Sequence, residues 1–363
     1  MNSNKSNQNS QRTKFLLNIR GKTIIFYMKS KVTVVVGGQF GSEAKGKVIS
    51  FLANEYDVAV RTGAPNAGHT VLHNNQIYKL QQIPATFVNP KCKLYIGAGA
   101  LIDPKILARE IEQTNSYKRV FIDPQAGIIE EKHAKEEGSL VKDIGSTGKG
   151  AGAALINRLW RKDFKLAKDV LQKYQITDIS KKINDDIDKG KNILVEGTQG
   201  FGLSIYHGYY PYVTSRDTTA ANFLAEAGIS PMLTTDIILV IRTFPIRVAG
   251  PSGPLPKEIT WDDLSTRVGK KLSETTTVTG KIRRLAEFDY EIVEKAVMIN
   301  RPTQIALQFL NYLFPEDEDK TEWITLTKKA QNYILKLEKK LKVPITLIGT
   351  GRNSESMIDR RKT

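Results

Sequence analysis

The first candidate for a chemical role is a glycine-rich run at 41–47, which fits the phosphate-binding pattern G-x-x-x-x-G-K. Glycines let backbone N–H groups approach phosphates, and the N-terminus of a following helix favours anions. Val48 stands where a magnesium-binding Ser or Thr usually follows the lysine. A solvated glycine-rich turn is the alternative, but the run directly follows an apolar stretch, which favours phosphate binding.

A second candidate is His69, in the small-residue segment Asn66-Ala67-Gly68-His69-Thr70. The chain has four histidines, and a lone histidine is more often structural than catalytic. Because imidazole changes charge near neutral pH, a histidine in such a loop is a candidate for transferring a proton or stabilising charge.

Three further segments carry polar groups between apolar stretches. Residues 145–152 (GSTGKGAG) and 196–200 (EGTQG) are glycine-rich loops, and the second directly follows an apolar run. Loops at strand ends are where open α/β sheets bind ligands. Residues 277–284 (TVTGKIRR) combine hydroxyls with cations. They suit a carboxylate or a phosphate, with a solvated basic loop as the alternative.

These loops must be positioned by the elements between them. Short apolar runs predict strands at 32–37, 57–61, 93–96, 119–122, 192–196, 236–242, 303–307 and 344–348. Helical periodicity predicts helices at 105–113, 284–300 and 322–341, the first capped by Asp103-Pro104. The alternation predicts a single large α/β domain around a mostly parallel, P-loop-NTPase-like central sheet with flanking helices.

Composition excludes several classes of protein. The single cysteine, Cys92, excludes an intramolecular disulfide framework and predicts a reducing, cytoplasmic location. No run approaches the roughly 20 apolar residues of a membrane span. The net charge of +16 would suit nucleic acid. The sequence lacks zinc-ligand spacing, an RNP motif and a basic heptad region, so nucleic acid is not the expected partner.

Residues 1–27 differ from the remainder because they contain basic residues but no Asp or Glu. We expect the working domain to span 28–363, beginning at Met28. The leading interpretation of 1–27 is a disordered extension or a mispredicted start. A transit peptide and a nucleic-acid-binding arm are the alternatives.

Six ordered segments together carry a family resemblance: GGQFGSEAKGK, NAGHT, IGSTGKGAGAALINRLWR, VEGTQGFGLSIYHGYYPYVTS, TVTGKIRR and LIGTGRNSESMI. The chain resembles the adenylosuccinate synthetase family over nearly all of 31–363. The resemblance implies a two-step reaction. The γ-phosphoryl of a nucleoside triphosphate moves to O6 of a purine monophosphate, and the amine of L-aspartate then displaces phosphate from C6.

The resemblance also implies residue roles. The triphosphate would be held by Gly41, Ser42, Glu43, Ala44, Lys45, Gly46 and Lys47. His69 would assist phosphoryl transfer, and the Gly68 carbonyl would bind Mg²⁺, with Ser42 as a second candidate ligand. The purine monophosphate would contact Asn66, Thr147, Gln199, Thr214 and Val248. Arg161 would reach it from a neighbouring subunit, which implies a homodimer. L-Aspartate would contact Thr279, Lys281 and Arg283, and the nucleotide base Asn311, Gly349, Thr350 and Gly351.

The phosphate loop departs from the family pattern G-D-E-G-K-G-K, because Ser42 replaces the aspartate. That aspartate takes the N1 proton of IMP. A serine cannot ionise near pH 7, so the catalytic role of Ser42 stays open. The smaller hydroxyl leaves room for an exocyclic amino group at purine C2.

Two other segments also depart from the family. The guanine-reading T-K-L-D is replaced by Gln308-Phe309-Leu310-Asn311. Asparagine offers both a donor and an acceptor, which suits adenine, so we expect ATP rather than GTP. Lys281 replaces the first arginine of T-T-G-R-x-R and loses its bidentate fork.

Together these changes resemble the phage 2-aminoadenylosuccinate synthetase branch, which uses dGMP. The expected reaction joins dGMP and L-aspartate at the expense of ATP and gives N6-succino-2-amino-2′-deoxyadenylate, for 2-aminoadenine DNA synthesis. The alternative is a conventional adenylosuccinate synthetase that uses IMP and GTP. More remote alternatives are a basic nucleic-acid-binding protein and a GTPase switch, the latter disfavoured by Val48 and the lack of N-K-x-D.

Overall fold

A computed structural model describes residues 13–19, 22–28, 30–275, 280 and 282–362. Within these residues the centre of the molecule is a ten-stranded sheet. Its neighbours are parallel except for the last pair, which is antiparallel. In spatial order the strands are β11 (Gln175–Ile176), β9 (Val120–Ile122), β7 (Lys93–Ile96), β4 (Val58–Arg61), β12 (Ile193–Glu196), β3 (Val32–Gly37), β13 (Asp236–Arg242), β17 (Gln304–Gln308), β18 (Ile345–Gly349) and β19 (Met357–Asp359).

Smaller sheets and the helices surround this centre. The remaining strands are β1 (Thr13–Ile19) with β2 (Lys22–Met28), β5 (His69–His73) with β6 (Gln76–Leu80), β8 (Leu101–Ile102) with β10 (Gly127–Ile128), and β14 (Ile246–Arg247), β16 (Arg284–Ala286) and β15 (Glu258–Ile259). The helices are α1 (Lys45–Leu52), α2 (Pro104–Gln113), α3 (Glu131–Glu136), α4 (Gly138–Ile144), α5 (Ala151–Trp160), α6 (Ala167–Val170), α7 (Ile179–Asp188), α8 (Ala220–Ala227), α9 (Trp261–Val268), α10 (Tyr290–Asn300) and α11 (Lys328–Leu341).

Helices cover both faces of the central sheet, because its central strands are apolar on both sides. Along β3, Val34 and Val36 face a core that includes side chains of α7, α8, α10 and α11. Val35 faces the opposite core, with side chains of α1 and α2. Side chains alternate between faces along a strand, so a nearly continuous apolar run becomes a strand buried twice. The predicted α/β fold is therefore confirmed.

Two predicted helices begin later than their periodicity suggests. Residues 284–286 form β16, which pairs with β14 and β15, and α10 begins only at Tyr290, after the N-cap Asp289. Likewise α11 begins at Lys328 rather than at 322, because the Thr327 side chain caps it by accepting from the Ala330 N–H. The predicted helix at 105–113 is confirmed, with Asp103 as its N-cap.

The N-terminal extension has regular backbone where it is described. Strands β1 and β2 pair antiparallel with each other and with no other described strand. Both segments are rich in β-branched and aromatic residues, which favour strands, and the disorder of the extension stays a prediction. That residues 1–27 lie outside the working domain stays a prediction. No helix within the described residues is long and apolar enough to cross a membrane.

The packing of Leu239 joins the central sheet to the start of the glycine-rich loop. Its side chain is fully buried on β13, and Gly38 lies directly against it. Leu239→Ala should lower the free energy of unfolding by about 2–5 kcal/mol, because the remaining cavity cannot close fully. The matched change Leu335→Ala, on a half-exposed leucine of α11, should change it by less than about 0.5 kcal/mol. Chemical denaturation measures both, and equal losses would contradict this packing.

Candidate active site

A cavity of about 670 Å³ opens at the carboxyl ends of the central strands. Open parallel sheets bind ligands at this edge. Its walls come from the loop after β3, the start of β5, the segment before β16, and the segments after β17 and β18. The predicted site residues in its described lining are Ser42, Ala44, Lys45, Gly46, Lys47, Gly68, His69, Arg283, Asn311 and Gly351.

The glycine-rich loop is shaped from behind by the buried carboxylate of Glu43. One oxygen accepts from the backbone N–H groups of Gln39 (3.1 Å) and Gly41 (2.8 Å), and the other from Lys45 Nζ (2.7 Å). A β-carbon at Gly37 would lie 2.6 Å from this carboxylate, so only glycine fits there. Glu43 therefore holds the loop and is already engaged by three donors.

The two lysines of the loop also tie it to other segments. Lys45 Nζ donates to the carbonyl oxygen of Gln199. Lys47 Nζ donates to the carbonyl oxygens of Gly351 (2.7 Å) and Ser356 (2.8 Å). Burial lowers the pKa of Lys47 to about 8. The loop expected to hold phosphates is thus linked to the segment after β18, which is expected to hold the nucleotide base.

His69 is held by a buried glutamate that the sequence does not flag as a site residue. Its Nδ1 lies 2.6 Å from Oε1 of Glu196, the last residue of β12. Glu196 also accepts from Arg61 (2.8 Å) and from the backbone N–H of Ala85 (2.7 Å).

The charge state of this pair follows from its surroundings. Burial, together with the nearby Arg61, lowers the pKa of His69 to about 4, although Glu196 opposes the shift. Burial opposes ionisation of Glu196, but Arg61 and His69 outweigh it and lower the pKa of this carboxyl. At pH 7 the imidazole is therefore neutral. The hydrogen bond to the carboxylate assigns its proton to Nδ1, which leaves Nε2 as an acceptor.

Three of the residues predicted to contact the purine monophosphate lie together. Asn66 Oδ1 accepts from Gln199 Nε2 (3.1 Å), and Asn66 Nδ2 donates to Thr214 Oγ1 (3.4 Å). Gln199 has a φ of +55° and contributes its carbonyl to Lys45, so this cluster adjoins the phosphate loop.

The other three residues of that predicted set lie elsewhere. Thr147 precedes α5, Arg161 ends α5, and the carbonyl of Val248 accepts from the Ser252 hydroxyl. None of the six residues of that predicted set belongs to the cavity's described lining, and the contact of all six with a monophosphate stays a prediction.

The end of the cavity expected to hold the base is formed after β17 and β18. Asn311 lines it, and its amide nitrogen is 3.4 Å from Glu318. Phe309 has a φ of +62°, and the Arg242 guanidinium lies 3.9 Å from its ring centre. Gly351 also lines this end, whereas Gly349 and Thr350 are buried behind it. Asn311 is thus presented into the cavity.

A cluster of charges lies against Ser42. The Arg283 guanidinium donates to the Ser42 hydroxyl, and Arg242 donates to the Ser42 carbonyl (3.0 Å) and to Glu274. Burial alone would raise the pKa of Glu274, but Arg242 and Arg283 lower it. Two other predicted aspartate ligands lie outside the described residues: Thr279 and Lys281.

The described residues contain no cluster of three or more His, Cys, Asp or Glu side chains that could hold a metal ion. The described cavity lining contains two carboxylates, Glu274 and Glu318, and Glu274 is engaged by Arg242. A Mg²⁺ ion is commonly held by substrate phosphates with one or two protein oxygens. Gly68 lines the cavity and would offer its carbonyl to such a site, whereas Ser42 accepts from a guanidinium and fits it poorly.

Comparisons with known proteins agree with this architecture. The family model described as adenylosuccinate synthetase matches residues 34–174 and 161–318. The adenylosuccinate synthetase of Methanocaldococcus jannaschii is 42% identical over 339 residues, covering 91% of this chain and 96% of that protein. That of Pyrococcus horikoshii is 42% identical over 341 residues, covering 91% of this chain and 98% of that protein.

Two solved structures share the fold. The fully ligated adenylosuccinate synthetase of Plasmodium falciparum has a TM-score of 0.81 at 23% identity and covers 91% of this chain and 100% of its own. The succinoaminodeoxyadenylate synthetase (PurZ) of cyanophage S-2L, bound to dGMP and to dATP as an energy donor, has a TM-score of 0.79 at 26% identity. It covers 91% of this chain and 95% of its own.

The neutral state of His69 can be tested by titration. Its imidazole should show no protonation between pH 8 and about 5.5, because its pKa is lowered to about 4. The unfolded chain binds this proton near pH 6.5, so the free energy of unfolding should fall as pH drops from 6.5 towards 4. NMR of labelled histidine, assigned with His69→Asn, measures the pKa, and the same variant should lose part of the pH dependence of unfolding. Titration of His69 near pH 6.5 would contradict this description.

Proposed function

This chain belongs to the adenylosuccinate synthetase family of C–N bond-forming ligases, and we propose that its purine substrate is dGMP. The proposed reaction joins dGMP to L-aspartate and converts ATP to ADP and phosphate. Its product is N6-succino-2-amino-2′-deoxyadenylate, a precursor for 2-aminoadenine in DNA. The observation that carries the choice of purine is Ser42, a hydroxyl on the cavity wall where the family pattern has a carboxylate.

The residues support a two-step reaction. In the first step purine O6 attacks the γ-phosphorus, and ADP leaves. The glycine-rich loop, held by Glu43, would orient the triphosphate through backbone N–H groups at the start of α1. In the second step the amine of L-aspartate attacks C6 and phosphate leaves. Arg283, which reaches into the cavity, would bind a carboxylate of aspartate.

The surroundings of Ser42 favour a purine with an amino group at C2. A serine is smaller than an aspartate and leaves space at the N1–C2 edge of the base. The two carboxylates of the described lining are both engaged, Glu274 by Arg242 and Glu318 by Lys270. Glu43 lies behind the loop and is engaged by Lys45 and two backbone N–H groups. A conventional IMP site would lack its carboxylate base here.

A conventional adenylosuccinate synthetase using IMP and GTP is the second candidate. The observation in its favour is the 42% identity to two archaeal adenylosuccinate synthetases over nearly their whole length. These relatives support the conventional function better than they support dGMP. The S-2L enzyme was solved with dGMP but is only 26% identical. The proposal of dGMP therefore depends on residue 42.

We propose ATP as the phosphoryl donor because of the residues at the end of the cavity that is expected to hold the nucleotide base. Asn311 presents an amide that can both donate to and accept from adenine. An aspartate, which only accepts, suits the N1–H and amino donors of guanine instead. Phe309 stands where the family pattern has a lysine, and the Arg242 guanidinium covers one face of its ring.

We further propose Mg²⁺ as the cofactor, bound chiefly by the phosphates with the Gly68 carbonyl. Magnesium would neutralise charge on the transferred phosphoryl group.

The chain is also proposed to act as a homodimer. The side chains of Ile156, Leu159 and Trp160 on α5 are 52%, 66% and 74% exposed, directly before Arg161. An apolar face of this kind suits a second copy, which would bring Arg161 to the partner's monophosphate. A reducing, cytoplasmic location, indicated by the single Cys92, stays a prediction.

A substrate panel tests the purine. With ATP and L-aspartate, kcat/KM for dGMP should exceed that for IMP by about tenfold or more, because Ser42 leaves room at C2. Ser42→Asp should lower the ratio of dGMP to IMP use by a similar factor. Phosphate release with product mass measures both, and Ser273→Asp on the same cavity wall is the matched control. Activity with IMP but not with dGMP or GMP, or undiminished dGMP use by Ser42→Asp, would contradict the proposal.

A second variant tests the donor. Asn311→Asp replaces an amide by an acceptor-only carboxylate, so its ratio of kcat/KM for GTP to that for ATP should rise about tenfold or more. The wild-type protein should prefer ATP. Asn353→Asp, an exposed asparagine in the neighbouring loop, controls for added charge and should leave the ratio unchanged. Equal ratios in wild type and Asn311→Asp would refute base reading by this residue.

A further inference from the structure

An asparagine at the base end of the cavity does not by itself choose between adenine and guanine. The Asn311 amide offers an acceptor oxygen and a donor nitrogen. Adenine presents a donor at its 6-amino group beside an acceptor at N1, and guanine presents the reverse, an acceptor at O6 beside a donor at N1. Turning the amide over exchanges its oxygen and nitrogen, so one asparagine can pair with either purine. A second group must therefore fix the amide if the site is to be selective.

The backbone around Asn311 is held in place, so the rotation of its amide is the remaining freedom. Asn311 is the middle residue of a short 3-10 turn, in which the Leu310 side chain is fully buried. The Phe309 carbonyl accepts from the backbone N–H of Tyr312 (3.1 Å) and from the Thr243 hydroxyl (2.7 Å). The Asn311 side chain is half-buried and lines the cavity. The side chains around the amide therefore decide which of its atoms faces a bound base.

Glu318 lines the same end of the cavity and contacts this amide. Its Oε1 accepts from Nδ2 of Asn311 at 3.4 Å. A carboxylate only accepts hydrogen bonds, so it binds the amide nitrogen and repels the amide oxygen. Lys270, just after α9, places Nζ 3.1 Å from both carboxylate oxygens and holds the carboxylate in position. The contact leaves Oδ1 and the second hydrogen of Nδ2 for a ligand.

We propose that Glu318 is the positioning residue that makes the donor site selective for adenine over guanine, by fixing the orientation of the Asn311 amide. The inference rests on the proposed function, in that it takes ATP as the phosphoryl donor. With the amide held in this way, Oδ1 accepts from the adenine 6-amino group and Nδ2 donates its second hydrogen to adenine N1. Adenine then turns N1 and C2–H towards the side of Glu318, where no oxygen of the base meets the carboxylate.

Guanine meets a repulsion in the same arrangement. To use the fixed amide, guanine N1–H must donate to Oδ1 of Asn311, and O6 must accept from Nδ2. This pairing brings O6 to the side of the amide on which the Glu318 carboxylate lies, so two acceptors face each other. A site that repels the wrong ligand gains specificity without any further contact to the right one.

The opposite role for Glu318 is that of a direct acceptor for the N1–H and amino group of guanine. The ion pair argues against this role, because Lys270 already engages both carboxylate oxygens. The two roles also predict opposite results when the carboxylate is removed, since a direct guanine acceptor would be lost with it.

Binding of ADP and of GDP, each with Mg²⁺ and measured by calorimetry, tests the proposal without requiring turnover. In Glu318→Gln the new amide can donate to Oδ1 of Asn311 as well as accept from Nδ2, so the orientation is no longer fixed. We expect the ratio of Kd for GDP to Kd for ADP to fall about fivefold or more. Glu316→Gln removes the same charge from an exposed residue outside the cavity's described lining and should change the ratio by less than about twofold.

A second background separates the positioning of the amide from a general effect of charge. Asn311→Ala removes the amide, so adding Glu318→Gln to it should change the ratio by less than about twofold. Thermal unfolding shows that each variant is folded. In the ligase assay Glu318→Gln should lower the preference for ATP over GTP in kcat/KM, while KM for dGMP and for L-aspartate changes by less than about twofold.

An unchanged ratio in Glu318→Gln, an equal fall in the Asn311→Ala background, or a stronger preference for ADP would overturn the proposal. Tighter binding of GDP than of ADP by the wild type would overturn the proposed donor, and this inference with it. Absence of aspartate-dependent phosphate release with dGMP, GMP and IMP would instead overturn the proposed function, whereas the nucleotide-binding ratios would still decide the role of Glu318.

Discussion

The arrangement of the site depends on buried carboxylates at the ends of two adjacent strands. Glu196 ends β12 and binds Arg61 from β4 and His69 from β5. Glu43 follows β3, the neighbour of β12, and binds the backbone of its own loop together with Lys45. An unpaired buried charge costs several kcal/mol, so each carboxylate constrains the groups that satisfy it. The phosphate loop and the imidazole are thereby fixed relative to the same sheet.

The lysine side chains of the glycine-rich loop bind backbone carbonyls of two other segments of the site. Lys45 reaches Gln199 after β12, and Lys47 reaches Gly351 after β18. The loop for phosphates therefore joins the segments for the purine monophosphate and the nucleotide base. A ligand that binds Lys47 Nζ would also change the hydrogen bond that Lys47 donates to the Gly351 carbonyl. Ser42 lies on the exposed side of the loop and contacts Arg283 and Arg242.

Local sequence predicted those features whose cause is local. The N-cap Asp103 and the strand β3 followed by a glycine-rich loop depend on neighbouring residues, and both were placed correctly. Residues 284–286 have a helical pattern but form a strand, because β14 and β15 supply pairing partners from elsewhere in the chain. The partners of Glu196 lie 135 and 127 residues away, so sequence alone did not identify it as the residue that orients His69. The only hint in the sequence was that Glu196, an ionisable residue, ends an apolar run predicted to be a buried strand.

We propose that a hydroxyl at residue 42, rather than a carboxylate, sets the purine that this ligase accepts. The most direct measurement is a single reaction that contains equal dGMP and IMP with ATP and L-aspartate, in which the two succinylated products are separated by mass. If residue 42 sets the purine, the 2-amino product should predominate. Predominance of adenylosuccinate would contradict it.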